Sequence, residues 1–211
     1  MRFKLFFGLV LALLFVCAAR PILAQVVAPA TVTRIPLSVG AGVSDFNPEA
    51  LNPGRILGGT LWIDVGLPHM PSILRGLGIE AEARDLSFGA SSSEHPGLKE
   101  ESAEGGLIYS WPHYQNLRPY AKFLAGYGNL DQELVVPVPH HDSRDFTCIG
   151  GGVDYKLFGR VWVRAEYELQ RWPDMAFHDI VKGVPVPYAP RYPQGASIGA
   201  MYHFGSHHYS Q

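Results

Sequence analysis

The chain has 211 residues, of which 47% are hydrophobic and 17% charged, and its formal net charge is −2. Removing the first 24 residues takes away Arg2, Lys4 and Arg20, which leaves 14 basic against 19 acidic residues and a charge of −5. Nucleic-acid binding is not expected of a mildly acidic chain, because it depends on neutralising phosphates with Lys and Arg. Cys148 is the only cysteine after Cys17, so no internal disulfide is expected once a leader is removed.

The N-terminal segment has the pattern of a secretory signal peptide. Arg2 and Lys4 precede an apolar run from Leu5 to Ala19, and Ala24 offers a small residue for cleavage. That run is 15 residues long, whereas a membrane-spanning helix needs roughly 20. No later segment contains 18 consecutive apolar residues, so a later membrane-spanning structure has to be a barrel. We therefore predict a signal peptide over 1–24, a lead-in over 25–33, a barrel over 34–204 and a tail over 205–211.

Eight segments alternate apolar residues with small or charged ones, which predicts strands with two different faces. The clearest case is the segment from Val161, where residues 161, 163, 165, 167 and 169 are apolar or aromatic and residues 164, 166, 168 and 170 are polar. Each segment reaches the roughly 9 to 11 residues that a tilted membrane strand needs. In chain order, the predicted strands are 34–46, 56–67, 77–88, 101–111, 118–128, 146–157, 161–172 and 195–204.

The intervals between these strands are rich in Pro, Gly, Asn, Asp and Ser, as expected of turns. They are short after strands four and six and long after strands five and seven, which predicts termini in the periplasm and long loops outside the cell. The interval after strand two is longer than this rule expects. We predict an all-β fold, an eight-stranded antiparallel up-and-down transmembrane β-barrel in the outer membrane, with outer-membrane lipid as its surroundings.

Alternation alone does not say which face is inside, since a soluble barrel with an apolar lumen gives the same pattern inverted. A glycine-rich polar face favours a crowded, polar lumen, and aromatic residues near the strand ends favour membrane interfaces. The glycines are Gly40, Gly42, Gly58, Gly126, Gly128, Gly150, Gly152 and Gly199, and the aromatic residues are Phe46, Trp111, Tyr127, Tyr155, Tyr202 and Phe204. The charges predicted to face inward are Asp64, Glu80, Glu82, Arg84, Glu104, Lys122, Asp154, Lys156, Arg164, Glu166 and Glu168.

The last strand has the pattern of the assembly signal of bacterial outer-membrane proteins. A polar residue, Ser197, precedes Gly199, and the aromatic residues Tyr202 and Phe204 follow with one residue between them. Seven further residues follow Phe204, whereas such proteins commonly stop at the terminal aromatic residue. The pattern nonetheless predicts that the outer-membrane assembly machinery is a partner of this strand.

From residue 34 to residue 204 the chain resembles the OmpA-like family of eight-stranded outer-membrane barrels. The resemblance is carried by GGGVDYKLFGRVWVRAEYELQRW (150–172), LRPYAKFLAGYG (117–128) and the last strand. It implies a closed barrel with loops exposed at the cell surface, and it names no particular activity.

The inward charges have two interpretations. They could line a narrow path for ions or protons, or they could form an internal salt-bridge network that fills the barrel. We favour the network, because eight strands leave room for side chains and little more. Its predicted members are Glu80, Glu82, Arg84, Glu104, Lys122, Asp154, Arg164, Glu166 and Glu168, and the candidate partners of Arg164 are Glu80, Glu82, Glu104, Glu166 and Glu168.

Other chemistry is weakly supported by the sequence. His140 and His141, close to Asp142 and Asp145 in a predicted loop, and His207 with His208 in the tail lack the spacing of a zinc site, so no metal and no cofactor is predicted. A lipid-modifying enzyme is the alternative function, but no nucleophile motif such as G-x-S-x-G is present. Cys148 is predicted to face inward as a packed side chain. The preferred function is a structural or surface-interaction role. The long loops either capture an extracellular ligand, with Phe177, Tyr188 and Tyr192 available for contact, or shield the surface without specificity.

Overall fold

Eight long strands form a ring in this computed structural model, which describes residues 35–48, 55–88, 98–111, 115–132, 140–175, 180–181, 184–185 and 189–204. Three short strands precede the last long one. The strands are β1 (Leu37–Asn47), β2 (Ile56–Gly66), β3 (Leu77–Phe88), β4 (Leu98–Ser110), β5 (Leu117–Gln132), β6 (His140–Phe158), β7 (Val161–Met175), β8 (Ile180–Val181), β9 (Val184–Pro185), β10 (Ala189–Arg191) and β11 (Gln194–Phe204).

The ring is closed and antiparallel. Each of the strands β1 to β7 pairs with its neighbour in the chain, and β11 pairs with both β7 and β1. No sheet edge is therefore left in the ring, as a barrel in lipid requires. The predicted eight-stranded up-and-down barrel is confirmed.

The predicted strand positions agree with the observed ones within a few residues, except in the hairpin of β5 and β6. These strands continue to Gln132 and start again at His140, with Gln132 opposite His140 and Asp131 opposite His141. The prediction that His140, His141, Asp142 and Asp145 lie in a loop is therefore wrong. The pattern fails there because an extension beyond the apolar belt has no need to alternate apolar with polar residues. His207 and His208 lie outside the described residues.

The outer surface of the ring is apolar over most of its height. On β7 the outward residues include Ala165, Tyr167 and Leu169, and among the described residues the outward positions carry no charge until the end where the loops lie. At that border the outward charges of the described strands are Asp45, Asp85, Lys99, Glu101, Asp145 and Arg171. This belt is the surface that faces the hydrocarbon of the membrane.

The opposite end of the ring, which we call the turn end, has compact connections. Gly159 adopts φ +52° in the two-residue turn between β6 and β7, a conformation that favours glycine. The longer connection from β2 to β3 contains a 3₁₀ turn, Ser72–Leu74, whose Ile73 carbonyl accepts a hydrogen bond from the Tyr109 hydroxyl at 3.0 Å. β1 starts and β11 ends at this end.

At the loop end, short strands occupy part of the connection between β7 and β11. β8 and β9 form a small hairpin, and β10 pairs with the last residues of β7, Ala189 with Met175 and Arg191 with Trp172. The sequence did not predict these short strands, because a two- or three-residue strand has no periodicity to detect. No helix in the described part of the chain is long and apolar enough to cross a membrane.

Candidate functional site

The lumen of the barrel is the candidate functional site, because twelve charged residues of the described strands lie in it and are 0–8% exposed. A water-filled channel would leave such side chains accessible, so the lumen is filled by protein atoms at these levels. The twelve come from six strands, and they are Asp64, Glu80, Glu82, Arg84, Glu100, Glu104, Arg118, Lys122, Asp154, Arg164, Glu166 and Glu168.

Arg164 is the centre of a cluster on the turn side of the lumen. Its Nε donates to Asp154 Oδ1 at 2.9 Å, its Nη1 to Glu80 Oε2 at 2.7 Å, and its Nη2 to Asp64 Oδ2 at 2.8 Å. The guanidinium also lies 4.4 Å from the ring centroid of Tyr120. Since these carboxylates belong to β6, β3 and β2, one side chain of β7 connects four strands of the ring.

A second layer of contacts lies at the mouth of the lumen at the turn end, which also holds a cavity lined in part by Ser38, Asp64 and Arg118. Arg118 Nη2 donates to Asp154 Oδ2 at 2.6 Å, and its guanidinium lies 5.2 Å from the ring centroid of Trp162. The hydroxyl of Ser38 and Nδ1 of His203 are 2.6 Å apart, and Trp162 meets the His203 ring edge-on. Both Ser38 and His203 are buried.

Lys122 and Arg84 are the cations of the cluster on the loop side. Lys122 Nζ lies 3.0 Å from Glu80 Oε1, 2.7 Å from Glu82 Oε2 and 3.0 Å from Glu166 Oε2, and it also contacts Glu168. Two neutral side chains complete these contacts, since Thr60 donates to Glu82 at 2.8 Å and Tyr120 donates to Glu166 at 2.6 Å. Arg84 contacts Glu82 and Glu168, and its Nη1 is 3.6 Å from Glu104 Oε1.

An apolar layer covers this cluster at the loop end. Phe146 and Trp172 stack with ring centroids 4.6 Å apart, and Phe46 lies beneath the Arg84 guanidinium at 4.4 Å. Phe46 is fully buried, so its predicted place in the outer aromatic girdle is wrong. Its position near the strand end is compatible with either face, because an aromatic ring can cap a lumen as well as an interface. The layer consists of Phe46, Ile56, Leu86, Leu124, Leu130, Phe146, Cys148 and Trp172.

The other predicted girdle residues, Trp111, Tyr127, Tyr155, Tyr202 and Phe204, are 40–54% exposed.

Glycines make room for the large side chains of the lumen. A Cβ added at Gly40 or Gly199 would overlap the indole of Trp62, and one added at Gly128 would overlap Trp172. At Gly150 the added atom would press against Glu168 and Lys122. Thus the glycine-rich face is the crowded one.

All nine residues predicted for the network lie in the lumen, and the contacts sort them into two clusters. Of the five candidate partners of Arg164, only Glu80 contacts it in the described structure, while Asp64 and Asp154 were not among the candidates. The prediction that Lys156 faces inward is wrong, since this residue is exposed at the turn end of the barrel, close to the turn at Gly159.

Arg118 and Glu100 were missed because they stand at the edges of predicted strands. Each is two residues from a buried neighbour on its own strand, Tyr120 and Ser102, and extending the alternation by one step would have found both.

The residues predicted as an assembly signal occupy both faces of β11. Ser197 faces the lumen, where its hydroxyl lies 2.7 Å from that of Ser44, and Gly199 lies opposite Gly42. Tyr202 and Phe204 face outward with ring centroids 4.8 Å apart. Their role in assembly stays a prediction.

The closed eight-stranded ring, with its apolar belt and charged interior, is the fold of a small outer-membrane β-barrel. Neisserial surface protein A has this fold with a TM-score of 0.57 at 12% identity, over 81% of this chain and 97% of that one. Ail, the attachment invasion locus protein of Yersinia pestis, solved with the heparin analogue sucrose octasulfate, has a TM-score of 0.54 at 13% identity, over 82% of this chain and 100% of that one.

A major outer-membrane protein of Thermus thermophilus gives 0.55 at 13% identity, over 81% of this chain and 100% of that one. No protein-family model and no curated protein matches the sequence. At these identities the likeness establishes the fold.

Proposed function

We propose that this protein is an outer-membrane barrel with a closed lumen, and that it acts through its cell-surface loops in a structural or surface-interaction role. The observation that carries the proposal is the filling of the lumen by buried charges between two covering layers. Arg164 and Lys122 connect opposite walls, Arg118 covers the turn end, and Trp172 covers the loop end. With the lumen filled, the protein would act through the surfaces outside it.

The outer surface supports a lipid environment. An uncharged belt surrounds the described strands, and the charged border at the loop end, with Asp45 and Arg171 among its residues, suits the headgroup region. The signal peptide over 1–24 would export the chain, the barrel over 34–204 would insert, and the segments 25–33 and 205–211 would flank it. Outer-membrane lipid and the assembly machinery are thus its expected partners.

The loops support a role in surface contact, because binding residues concentrate on loops held by a rigid scaffold. The connection between β7 and β11 is rich in Pro, and its described part presents Tyr192, 48% exposed, next to β10. Ail, which shares the fold, is named for attachment and invasion and was solved with a heparin analogue. Phe177 and Tyr188 lie outside the described residues.

Conductance measurements test the closed lumen. Protein refolded into planar lipid bilayers should show no steady ion conductance at neutral pH and moderate salt. A variant carrying Trp172→Ala and Phe146→Ala opens the loop-end layer and serves as the comparison, since it leaves the Arg164 cluster intact. Steady conductance of the unmodified protein would contradict the closed lumen.

A substitution and a truncation test the assembly signal. Because Tyr202 and Phe204 lie on the outer face at the end of β11, Phe204→Asp should lower the amount of protein in the outer-membrane fraction. Truncation after Phe204 should leave that amount unchanged. A larger loss of outer-membrane protein from the truncation than from Phe204→Asp would contradict the assignment.

Protease treatment of intact cells tests the orientation and the surface role. Cleavage should fall in the connections 133–139 and 176–193 and leave the barrel strands uncut. Cells whose 176–188 segment is replaced by a Gly-Ser linker of equal length should keep the barrel in the membrane and lose any binding to immobilised sulfated glycans that the parent cells show. Cleavage at the β6–β7 turn instead would mean the inverse orientation.

A further inference from the structure

The buried charges of the lumen are not balanced. The described residues place eight carboxylates there against four cations, Arg84, Arg118, Lys122 and Arg164. Buried carboxylates without compensation are costly, so such an excess is relieved either by protons on the carboxylates or by a bound cation.

The excess is concentrated on the loop side. On the turn side Arg164 and Arg118 face three carboxylates, and each of these accepts a hydrogen bond from one of the two arginines. On the loop side two cations, Arg84 and Lys122, face five carboxylates, which are Glu82, Glu100, Glu104, Glu166 and Glu168.

Glu104 has little compensation in that cluster. Its side chain is 1% exposed, and neither of its oxygens accepts a hydrogen bond from any described residue. The nearest cationic group is Arg84 Nη1, at 3.6 Å from one oxygen. One oxygen of the carboxylate lies within 4.8 Å of the sulfur of Cys148, which is fully buried on β6.

Glu104, Cys148 and Glu168 present one ligand atom each within 4.8 Å of one another. A second group, Glu82 with Glu166 and Glu168, meets the same distance, but the Lys122 ammonium already contacts all three of its carboxylates. In the first group Arg84 and Lys122 contact Glu168, but Glu104 accepts no hydrogen bond from the described residues, so this group retains a carboxylate for an added cation and the second does not.

We propose that Glu104, Cys148 and Glu168 form a binding site for one thiophilic divalent cation of the zinc class inside the lumen. A sulfur with two carboxylate oxygens is a ligand set that Zn²⁺ accepts, whereas Ca²⁺ and Mg²⁺ prefer oxygen alone. Zinc bonds of about 2.0 to 2.3 Å place tetrahedral ligands about 3.6 Å apart, so side-chain movements of about 1 Å would close the site.

The charge balance favours this occupant. Binding of Zn²⁺ releases the thiol proton of Cys148 to solvent, so the lumen gains one net positive charge. Arg84 and Lys122 are near, but five carboxylates outnumber them on this side. The proposal goes beyond the surface role and does not depend on it.

The position of the site predicts slow exchange. Cys148 belongs to the apolar layer that covers the loop end, and the Lys122 contacts lie on the other side of the cluster. A cation would enter while the barrel forms and would stay trapped afterwards. A chelator should therefore remove it only from the unfolded chain.

The test is refolding of the full chain into detergent micelles with Zn²⁺ or with Co²⁺, followed by removal of free metal with a chelator. We expect one retained metal ion per folded chain, and in the cobalt sample an absorption band of thiolate-to-metal charge transfer. Glu104→Gln should lower retention by at least tenfold, and Cys148→Ser should abolish the band. Glu166→Gln removes a carboxylate outside the site and should leave both signals unchanged.

Several outcomes would overturn the site. They are absence of the charge-transfer band in the folded unmodified protein, a band that persists in Cys148→Ser, or metal retention that Glu104→Gln and Glu166→Gln lower equally. The band of the unmodified protein decides the matter even if a variant fails to fold, and the heat-dependent gel migration of each variant reports its folding. Metal held by the histidines at 140, 141, 207 and 208 gives no thiolate band.

Discussion

The clusters around Arg164 on the turn side and around Lys122 and Arg84 on the loop side use the same residue types but differ in charge balance. Arg164 uses three nitrogens on three carboxylates of three other strands. Around Lys122 the carboxylates share their cations, and Glu104 accepts no hydrogen bond from the described residues. Enclosure in a barrel therefore does not by itself determine how a carboxylate is compensated, since every carboxylate around Arg164 accepts a hydrogen bond from an arginine and Glu104 accepts none from the described residues.

The largest expected effect on stability comes from breaking the cluster around Arg164. Arg164→Met should lower the free energy of unfolding by about 3–5 kcal/mol, because it abandons buried carboxylates. Unfolding by denaturant in lipid vesicles at neutral pH measures it. Adding Glu80→Gln and Asp64→Asn to Arg164→Met should recover part of the loss. If the Arg164→Met protein is as stable as the parent, the cluster contributes nothing to the free energy of unfolding and the lumen contains water.

The next largest loss of stability is expected from an arginine on the outer face of β7. Val163→Arg puts a guanidinium next to Arg164 in sequence but on the lipid side. Its cost should lie below the about 2–4 kcal/mol of the membrane midplane, because Val163 pairs with Tyr155 of the aromatic girdle. The yield of folded protein in bilayers, read from heat-dependent gel migration, should fall. If Val163→Arg folds as well as the parent while Arg164→Val does not, the assignment of the faces is inverted.

An exposed ion pair gives the smallest effect and calibrates the buried ones. Arg55 donates from Nε to Asp45 at 2.8 Å, and this hydrogen bond raises the pKa of the Arg55 guanidinium, yet the two side chains are 60% and 41% exposed. Water and salt screen such pairs, so Arg55→Ala should leave the unfolding midpoint unchanged. A loss comparable with that of Arg164→Met would show that burial is not what separates the two pairs.

The fold was predictable because one property, alternation, decides both strand and face. From Val161 to Leu169 every second side chain is outward and apolar, and the same alternation is found in all eight strands of the ring. The alternation was less informative where the contrast between a lipid-facing and a polar inward face ends. Phe46 is apolar on an inward position, and the hairpin extension from His140 lies beyond the belt that imposes alternation.

The members of the lumen could be proposed from the sequence, whereas their pairing could not. Side-chain parity places Arg164 and Glu166 on one face, but contact across the lumen depends on strand register and tilt, which a single sequence does not encode visibly. Asp64 and Asp154 were therefore not predicted as partners of Arg164. The Glu104 and Cys148 pair is of the same kind, since it joins β4 to β6 across the interior.

The most direct test of the difference between the two clusters is a matched pair of amide substitutions in metal-free protein. Glu80→Gln removes a carboxylate that accepts from Arg164 at 2.7 Å and lies 3.0 Å from Lys122, whereas Glu104→Gln removes one that accepts no hydrogen bond from the described residues. We predict that Glu80→Gln lowers the unfolding free energy in lipid vesicles by about 1.5–3 kcal/mol, the range for hydrogen bonds to charged groups, and that Glu104→Gln leaves it unchanged or raises it. Equal losses for the two variants would contradict the account.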